Sequence, residues 1–224
     1  MLPGSIVAGV LLLYLTTFFL VNLQNVIKGS RTRRGKKTHA EVERPRGLMM
    51  SMGALGTLAF FAEALMVVYV GLTGQVYRFI PVLQLEVPMG SSVQILGMAV
   101  MGAGFVIFVW SVIARGRHSV SWEMADDHAL ITLGPYRYVR HPSYLGYFLM
   151  FSGLLLTWFN LVALVPLVAV PGYAQIVVTE EGLLRQRFGE EYIRYMESTG
   201  GSYPSVLDKG VNADCILPSI ADIT

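Results

Sequence analysis

The chain has 224 residues, of which 54% are hydrophobic and 14% are charged, and its formal net charge is +2. Soluble domains carry about 25% charged residues, so long apolar runs with so little charge exclude an ordinary soluble domain and indicate a membrane protein. The single cysteine, Cys215, excludes an internal disulfide framework and a cysteine-based zinc site.

The first three apolar runs have the length of membrane spans. Residues 2–27 and 91–114 contain no charge, and residues 48–72 contain one, Glu63. About 20 helical residues cross the hydrocarbon core, so each run predicts a transmembrane helix. The first run lacks a preceding basic segment, which favours a retained span over a secretory signal. Glu63 needs a partner or a water-lined cavity and is a candidate functional residue.

The fourth apolar run, residues 142–178, is free of charge and too long for one ordinary span. The polar interruption "TWFN" at 157–160 divides it into two arms of about 17 residues, near the lower limit for a crossing. We therefore predict a tight helical hairpin and five transmembrane helices in all. Pro166 and Pro171 predict a kinked or partly broken second arm.

The basic residues predict the orientation of the spans. They cluster in the loop 28–46, after the third span and after the hairpin, whereas the loop 73–90 contains only Arg78. Because cytoplasmic loops are rich in lysine and arginine, the N-terminus is predicted outside and the loop 115–141 and the C-terminus in the cytoplasm. The basic loop is typical of a topogenic segment that also attracts anionic lipids. Aromatic residues do not interleave it, which argues against nucleic-acid binding.

A C-terminal amphipathic helix is predicted to begin after the hairpin. Thr179 can cap it, and Leu184, Phe188, Tyr192 and Tyr195 recur on one face at helical spacing. Gly189 is a weak point within this helix. The predicted organisation is thus an N-terminal membrane region (1–114), a catalytic region (115–203) and a loosely ordered tail (204–224).

A hairpin brings its two ends together, so "RHPSY" at 140–144 and "TEE" at 179–181 are expected to be neighbours at one membrane face. Simpler interpretations exist for each part. Arginines that flank a span often serve as anchors, and tyrosines often form an aromatic belt. The spacing of His118, His128 and His141 fits no familiar metal motif, so no metal is predicted.

Two stretches together resemble a known family. "GPYRYVRHPSYLGYF" at 134–148, followed after the hairpin by "EEGLLRQRFGEEYIRY" at 180–195, resembles the isoprenylcysteine carboxyl methyltransferase family and its phospholipid methyltransferase relatives. These are integral membrane enzymes that use S-adenosylmethionine. The resemblance covers about residues 105–203, and it implies the enzyme class without specifying the acceptor.

The resemblance implies a set of cofactor-binding residues: His128, Ala129, Leu130, Ile131, Tyr136, His141, Pro142, Ser143, Tyr144 and Glu180. Ser121 stands where the carboxyl methyltransferases have a glutamine contact. Ile176 stands where they carry the arginine that engages the prenylcysteine carboxylate. An unpaired carboxylate in a buried site is costly, which argues against prenylcysteine as the acceptor.

Methyl transfer needs orientation more than a covalent nucleophile or a metal. Amides at the helix start near His141 can meet an anion, and Arg137 or Arg140 can add charge pairing. The candidate catalytic residues are Glu181, His141 and Arg140, with His118 as a further possible base for an amine or thiol acceptor.

The acceptor is predicted to be a lipophilic amine, carboxylate or thiol that enters from the bilayer. One alternative is a membrane reductase of the sterol-reductase type, which has a similar C-terminal element and uses a nicotinamide cofactor. A non-enzymatic membrane component is the other alternative.

Overall fold

The computed structural model describes residues 1–33, 47–74, 83–116 and 129–200. This part of the chain folds into α-helices and short 3₁₀ helices, without a β-strand. The α-helices are α1 (Gly4–Arg33), α2 (Leu48–Leu72), α3 (Gly90–Arg115), α4 (Pro142–Trp158), α5 (Ala169–Phe188) and α6 (Glu190–Ser198). The 3₁₀ helices lie at Gly134–Arg137 and Leu161–Val168.

Four helical segments in the described ranges are long and apolar enough to cross a membrane: Gly4–Ile27, Leu48–Leu72, Gly90–Arg115 and Leu161–Phe188. Large apolar side chains on them are exposed, including Leu13, Leu58 and Val106. Such faces suit a lipid environment rather than water. The prediction of an all-helical polytopic membrane fold is confirmed. Helix α4 has 17 residues and is shorter than these four segments. The predicted fifth crossing, by α4, therefore stays a prediction.

The hairpin has the predicted break. At the end of α4, Phe159 adopts a left-handed conformation with φ of 54°. The side chain of Asn160 then caps the next segment, because its Oδ1 accepts a hydrogen bond from Val162 N at 3.0 Å. The second arm begins as the 3₁₀ helix Leu161–Val168, which contains Pro166, and becomes α-helical only at Ala169. The predicted irregularity of this arm is confirmed.

The predicted start of a helix at Thr179 is wrong. Helix α5 passes through this position, and Thr179 Oγ1 donates to the carbonyl of Gln175, one turn earlier, at 3.1 Å. The sequence has no glycine or proline between Gly172 and Glu181 to interrupt the helical hydrogen bonds, so the potential cap is bypassed. The break instead falls at Gly189, with φ of 50° and ψ of −125°, which confirms the predicted weak point.

Glycines bring the helices into close contact. A Cβ added to Gly104 of α3 would lie 2.7 Å from Gly146 O of α4, and one on Gly153 would lie 2.6 Å from Met101 N. Between α2 and α5, a Cβ on Gly172 would lie 2.4 Å from Met49 O. Small residues allow backbones to approach closely in this way, and close packing is what drives helix association in lipid. The α3–α4 and α2–α5 contacts therefore position the two ends of the hairpin.

Glu63 lies in the interior of α2 and is 7% exposed. Within the described residues, its Oε2 atom is buried without a hydrogen-bond partner. The described residues therefore do not supply, at Oε2, the partner that the sequence predicts for Glu63.

Candidate active site

The two ends of the hairpin meet, as predicted, through a buried group of charged side chains. Arg140 Nε donates to Glu181 Oε1 at 2.9 Å, and His141 Nε2 lies 3.1 Å from the same oxygen. On the other side of the ring, His141 Nδ1 lies 3.4 Å from Glu180 Oε2. All four residues are buried. The imidazole thus lies between two consecutive carboxylates of α5, which restrict the orientation of its ring.

The two carboxylates have different second contacts. Tyr144 donates its hydroxyl proton to Glu180 Oε1 at 3.1 Å. Glu181 Oε2 instead lies 3.6 Å from Arg185 Nη2, one turn further along α5. Glu181 is consequently surrounded by cationic groups, whereas Glu180 is held by a neutral hydroxyl and the histidine.

Arg140 also connects the hairpin to α6. Its Nη1 donates to the carbonyl oxygens of Met196 at 3.4 Å and Thr199 at 3.2 Å, and its backbone amide donates to Gly200 O at 3.2 Å. These bonds go to carbonyls in the last turn of α6 and in the two residues that follow it. The guanidinium therefore fixes α6 against the start of α4.

A second polar cluster lies where α3 meets α4. Arg115, in the last turn of α3, donates from Nη2 to Ser143 Oγ at 3.0 Å, and Ser143 Oγ is also 3.0 Å from Ser111 Oγ. Burial raises the pKa of the Tyr136 hydroxyl, against the opposing effects of the Arg115 charge and of hydrogen bonds from Ser143 and Ser111. Tyr136 therefore remains protonated at neutral pH and available as a donor.

These groups surround a cavity of about 250 Å³. Its wall combines charged, hydroxyl, aromatic and aliphatic side chains, as is usual for small-molecule sites. The lining residues are Phe108, Arg115, Ala129, Leu130, Ile131, Tyr136, Arg140, His141, Ser143, Tyr144, Tyr147, Glu180, Leu184, Tyr192 and Tyr195.

A column of aromatic rings connects the cavity to the apolar core. The Tyr144 and Tyr173 rings stack with centroids 5.0 Å apart, and Tyr147 stacks on Tyr173 at 5.5 Å. The Tyr173 hydroxyl is hydrogen-bonded to Thr57 Oγ1 of α2. The column links α2, α4 and α5 directly behind the cavity and restrains Tyr144, whose hydroxyl holds Glu180.

Eight of the predicted cofactor-binding residues line the cavity: Ala129, Leu130, Ile131, Tyr136, His141, Ser143, Tyr144 and Glu180. Pro142 is buried at the start of α4 and does not line it. Of the candidate catalytic residues, His141 and Arg140 line the cavity, whereas Glu181 lies behind them. Three predicted residues, His118, Ser121 and His128, fall outside the described ranges.

Some lining residues were not predicted from the sequence as site residues. From the sequence, Arg115 belongs to the topogenic charge pattern, Phe108 to an apolar span and Tyr147 to a possible aromatic belt. Tyr192 and Tyr195 were expected on one helix face, and that face turns out to close the cavity, where Tyr195 donates to Tyr136 O at 2.6 Å. The periodicity identified the face of α6 but not the surface that it contacts.

The pKa of His141 leads to a prediction about pH. Burial alone would lower the pKa, but hydrogen bonds and charges from Glu180 and Glu181 outweigh burial and hold it above the ordinary value of 6.5. When the folded-state pKa is raised, the protonated group contributes its full stability below the unfolded-state pKa. That contribution is lost as the pH rises through the folded-state value.

We therefore expect the unfolding midpoint of the detergent-solubilised protein to fall as the pH rises above 6.5, the ordinary pKa of histidine. His141→Gln should flatten this fall, because glutamine does not titrate. Thermal unfolding of both proteins across the same buffers measures the difference. Equally steep profiles would contradict the assignment of a protonated, stabilising His141.

The helical membrane fold and its polar cavity at the open end of a hairpin define an integral membrane protein with a small-molecule site. Residues 92–191 match the family model described as phospholipid methyltransferase. The match includes both ends of the hairpin and α6 up to Glu191, and it confirms the resemblance seen in the sequence motifs.

Similar proteins support the same family. The chain is 33% identical over 115 residues to protein-S-isoprenylcysteine O-methyltransferase A of Arabidopsis thaliana, covering 49% of this chain and 58% of the relative. It is 36% identical over 91 residues to a protein-S-isoprenylcysteine O-methyltransferase of Schizosaccharomyces pombe, covering 40% of this chain and 39% of the relative. A Tribolium castaneum protein of the same name is 30% identical over 122 residues, which cover 50% of this chain and 41% of the relative. The matches thus span about half the length of these relatives.

Proposed function

We propose that the protein is an integral membrane methyltransferase that uses S-adenosylmethionine and acts on a lipophilic acceptor. The observation that carries the proposal is the cavity in which Glu180, His141 and Tyr144 converge within the family-matched region. The relatives are named as methyltransferases, and nothing in the fold or the comparisons supports the reductase alternative.

The residues that line the cavity fit the proposed cofactor. S-adenosylmethionine would supply an electrophilic methyl group on a cationic sulfonium. Glu180 provides a carboxylate for an ammonium group or hydroxyls, and the faces of Tyr136, Tyr144 and Tyr147 suit a nearby cation. Ala129, Leu130 and Ile131 form an apolar wall for a flat heterocycle.

Within this proposal, His141 and Glu181 have positioning roles. His141 is held on both ring nitrogens by carboxylates and so aligns Glu180. Glu181 contacts Arg140, His141 and Arg185 and does not line the cavity, which argues for a structural anchor rather than a base that meets the acceptor. A carboxylate acceptor needs no base, whereas an amine or thiol would have to lose a proton.

The acceptor is proposed to reach the cavity from the lipid. Phe108 and Tyr147 form its side towards the apolar core, where a hydrocarbon chain could lie. Ile176 cannot take the charge-pairing role of the arginine that the resemblance implies at this position. Its side chain is 4% exposed and packs against α2, where a Cβ added to Gly53 would lie 3.5 Å from Ile176 Cδ1. With the N-terminus outside, as the basic loops predict, the cavity would face the cytoplasm.

The first test is calorimetric titration of the detergent-purified protein with S-adenosylhomocysteine and, separately, with NADPH. Saturable binding of the nucleoside without binding of NADPH is expected. Binding of NADPH alone would favour the reductase, and binding of neither would overturn both enzyme interpretations.

A second measurement addresses the acceptor. Membrane lipid extracts are incubated with the protein and methyl-labelled S-adenosylmethionine, and labelled products are identified by mass spectrometry. Label in a lipid fraction, dependent on Glu180, is the expected result.

A further inference from the structure

Tyr192 is a buried tyrosine of α6 whose hydroxyl group none of the roles above explains. The residue lines the cavity and is 1% exposed. Within the described part of the chain, its hydroxyl oxygen is buried without a hydrogen-bond partner. An unpaired polar group in a protein interior is costly. In the wall of a ligand site, such a group points to a ligand that pairs with it.

The other tyrosine of α6 in the cavity wall uses its hydroxyl differently. The ring of Tyr195 lies 5.9 Å from that of Tyr192, centroid to centroid, and both residues line the cavity. The Tyr195 hydroxyl donates to Tyr136 O at 2.6 Å and so joins α6 to the segment before α4. Two similar side chains, about one turn apart, thus provide one hydroxyl with a structural partner and one without.

The surroundings of the Tyr192 hydroxyl favour an uncharged ligand group. The charged side chains that influence it are Glu181, Arg140 and Arg185. Glu181 pairs with the two arginines at 2.9 Å and 3.6 Å, so a carboxylate or an ammonium group would meet a cluster that is already balanced. Burial, followed by the Glu181 charge, raises the pKa of the hydroxyl. It therefore stays protonated at neutral pH and can donate one hydrogen bond and accept another.

The position of Tyr192 favours the cofactor over the lipophilic acceptor. Helix α6 follows Leu161–Phe188, the last described segment that is long and apolar enough to cross a membrane. Phe108 and Tyr147 instead form the side of the cavity towards the apolar core, where the acceptor is proposed to lie. A water-soluble nucleoside would enter from the end of the cavity that α6 closes.

We propose that the Tyr192 hydroxyl binds the nucleoside of S-adenosylmethionine by a hydrogen bond, either to a ribose hydroxyl or to the polar edge of the adenine. The inference rests on the proposed function and specifies how its cofactor is held. Both parts of the nucleoside present uncharged donors and acceptors, and matched analogues distinguish them.

The first measurement compares Tyr192→Phe and Tyr195→Phe by thermal unfolding of the ligand-free, detergent-purified protein. Tyr192→Phe removes a polar group that has no protein partner, so its unfolding midpoint should equal or exceed that of wild type. Tyr195→Phe should lower the midpoint, because the hydrogen bond to Tyr136 O is lost. A midpoint below wild type for Tyr192→Phe would assign its hydroxyl a structural role and overturn the proposal.

The second measurement is calorimetric titration with S-adenosylhomocysteine. Tyr192→Phe should weaken binding by about 10-fold, because the ligand loses a hydrogen bond in a buried site. Tyr69→Phe is the matched control and should bind as wild type does, since Tyr69 is 68% exposed on α2 and does not line the cavity. Equal affinities for Tyr192→Phe and wild type would also overturn the proposal.

Analogues of S-adenosylhomocysteine then locate the contact. Two monodeoxy analogues each lack one ribose hydroxyl, the deaza analogues each lack one ring nitrogen, and the inosine analogue lacks the amino group. The analogue without the contacted atom should bind Tyr192→Phe and wild type equally, whereas the others retain the difference. The same loss for every analogue would place the contact outside the nucleoside, against the proposal. Failure of the wild-type protein to bind S-adenosylhomocysteine is a separate result, which contradicts the proposed function itself.

Discussion

Replacing Glu180 by glutamine is expected to weaken the binding of S-adenosylhomocysteine by about 100-fold. Glu180 is the glutamate that lines the cavity, and its carboxylate is oriented by Tyr144 and His141. Removing one partner from a buried, hydrogen-bonded charge pair costs about 2–5 kcal/mol, and each 1.4 kcal/mol is a factor of ten in affinity. Glutamine keeps the shape of the side chain, so loss of charge dominates the effect.

The measurement is calorimetric titration at fixed pH and salt, with thermal unfolding as a test of folding. Glu190→Gln is a suitable control, because Glu190 is exposed in the first turn of α6 and should leave affinity unchanged. A folded Glu180→Gln protein that binds within threefold of wild type would show that this carboxylate does not contact the ligand.

The second large effect is expected for Gly172→Ala. The new methyl group would lie 2.4 Å from Met49 O and 2.6 Å from Gly53 N, and both atoms belong to the backbone of α2. Backbone cannot rotate away as a side chain can, so α2 and α5 must separate. Overpacking costs about 1–3 kcal/mol, and we expect the upper part of this range.

Function should fall together with stability, because α5 carries Glu180 two turns beyond Gly172 and the aromatic column behind the cavity spans the same interface. Unfolding midpoint and affinity for S-adenosylhomocysteine are the two measurements. The control is Gly9→Ala in α1, where an added Cβ would meet no atom within 4 Å. Similar midpoints for the two variants would show that the close α2–α5 contact does not determine stability.

The consecutive pair Glu180 and Glu181 illustrates a division of roles by environment. Adjacent residues on a helix point in directions about 100° apart, yet both reach His141 because the imidazole has a nitrogen on either side. Glu180 is left facing the cavity with a hydroxyl donor, and Glu181 faces three cationic groups. The sequence resemblance assigned Glu180 to the cofactor and left Glu181 as a catalytic candidate, whereas in the proposed function the cationic neighbours of Glu181 make it an anchor.

Local sequence properties were sufficient for much of the fold. Hydrophobic length predicted α2 at 48–72, as observed, and α3 to within one residue at each end. The interruption at 157–160 predicted the turn of the hairpin, which in turn implied that residues 140–144 and 179–181 meet. These features depend on hydropathy and chain connectivity, which a single sequence contains.

Local signals failed where two structures were locally possible. Thr179 followed by two glutamates has the pattern of a helix start, but an uninterrupted helical hydrogen-bond ladder continues through it in α5. A capping residue can favour a start without imposing one, because its side chain can bond equally well to a carbonyl of the preceding turn. Gly189, which has a backbone conformation that other residues rarely adopt, decides the break instead.

The sequence by itself predicted a helical membrane protein whose hairpin ends resemble a methyltransferase motif, and it placed Ile176 where that resemblance implies an arginine. Only the tertiary structure decided which side chains share the cavity. Arg115 and Tyr195 come from helices on either side of the motif, and close glycine contacts and the bonds of Arg140 bring them there. The physical reason is that packing between helices depends on backbone approach and side-chain direction, which spacing along the chain does not specify.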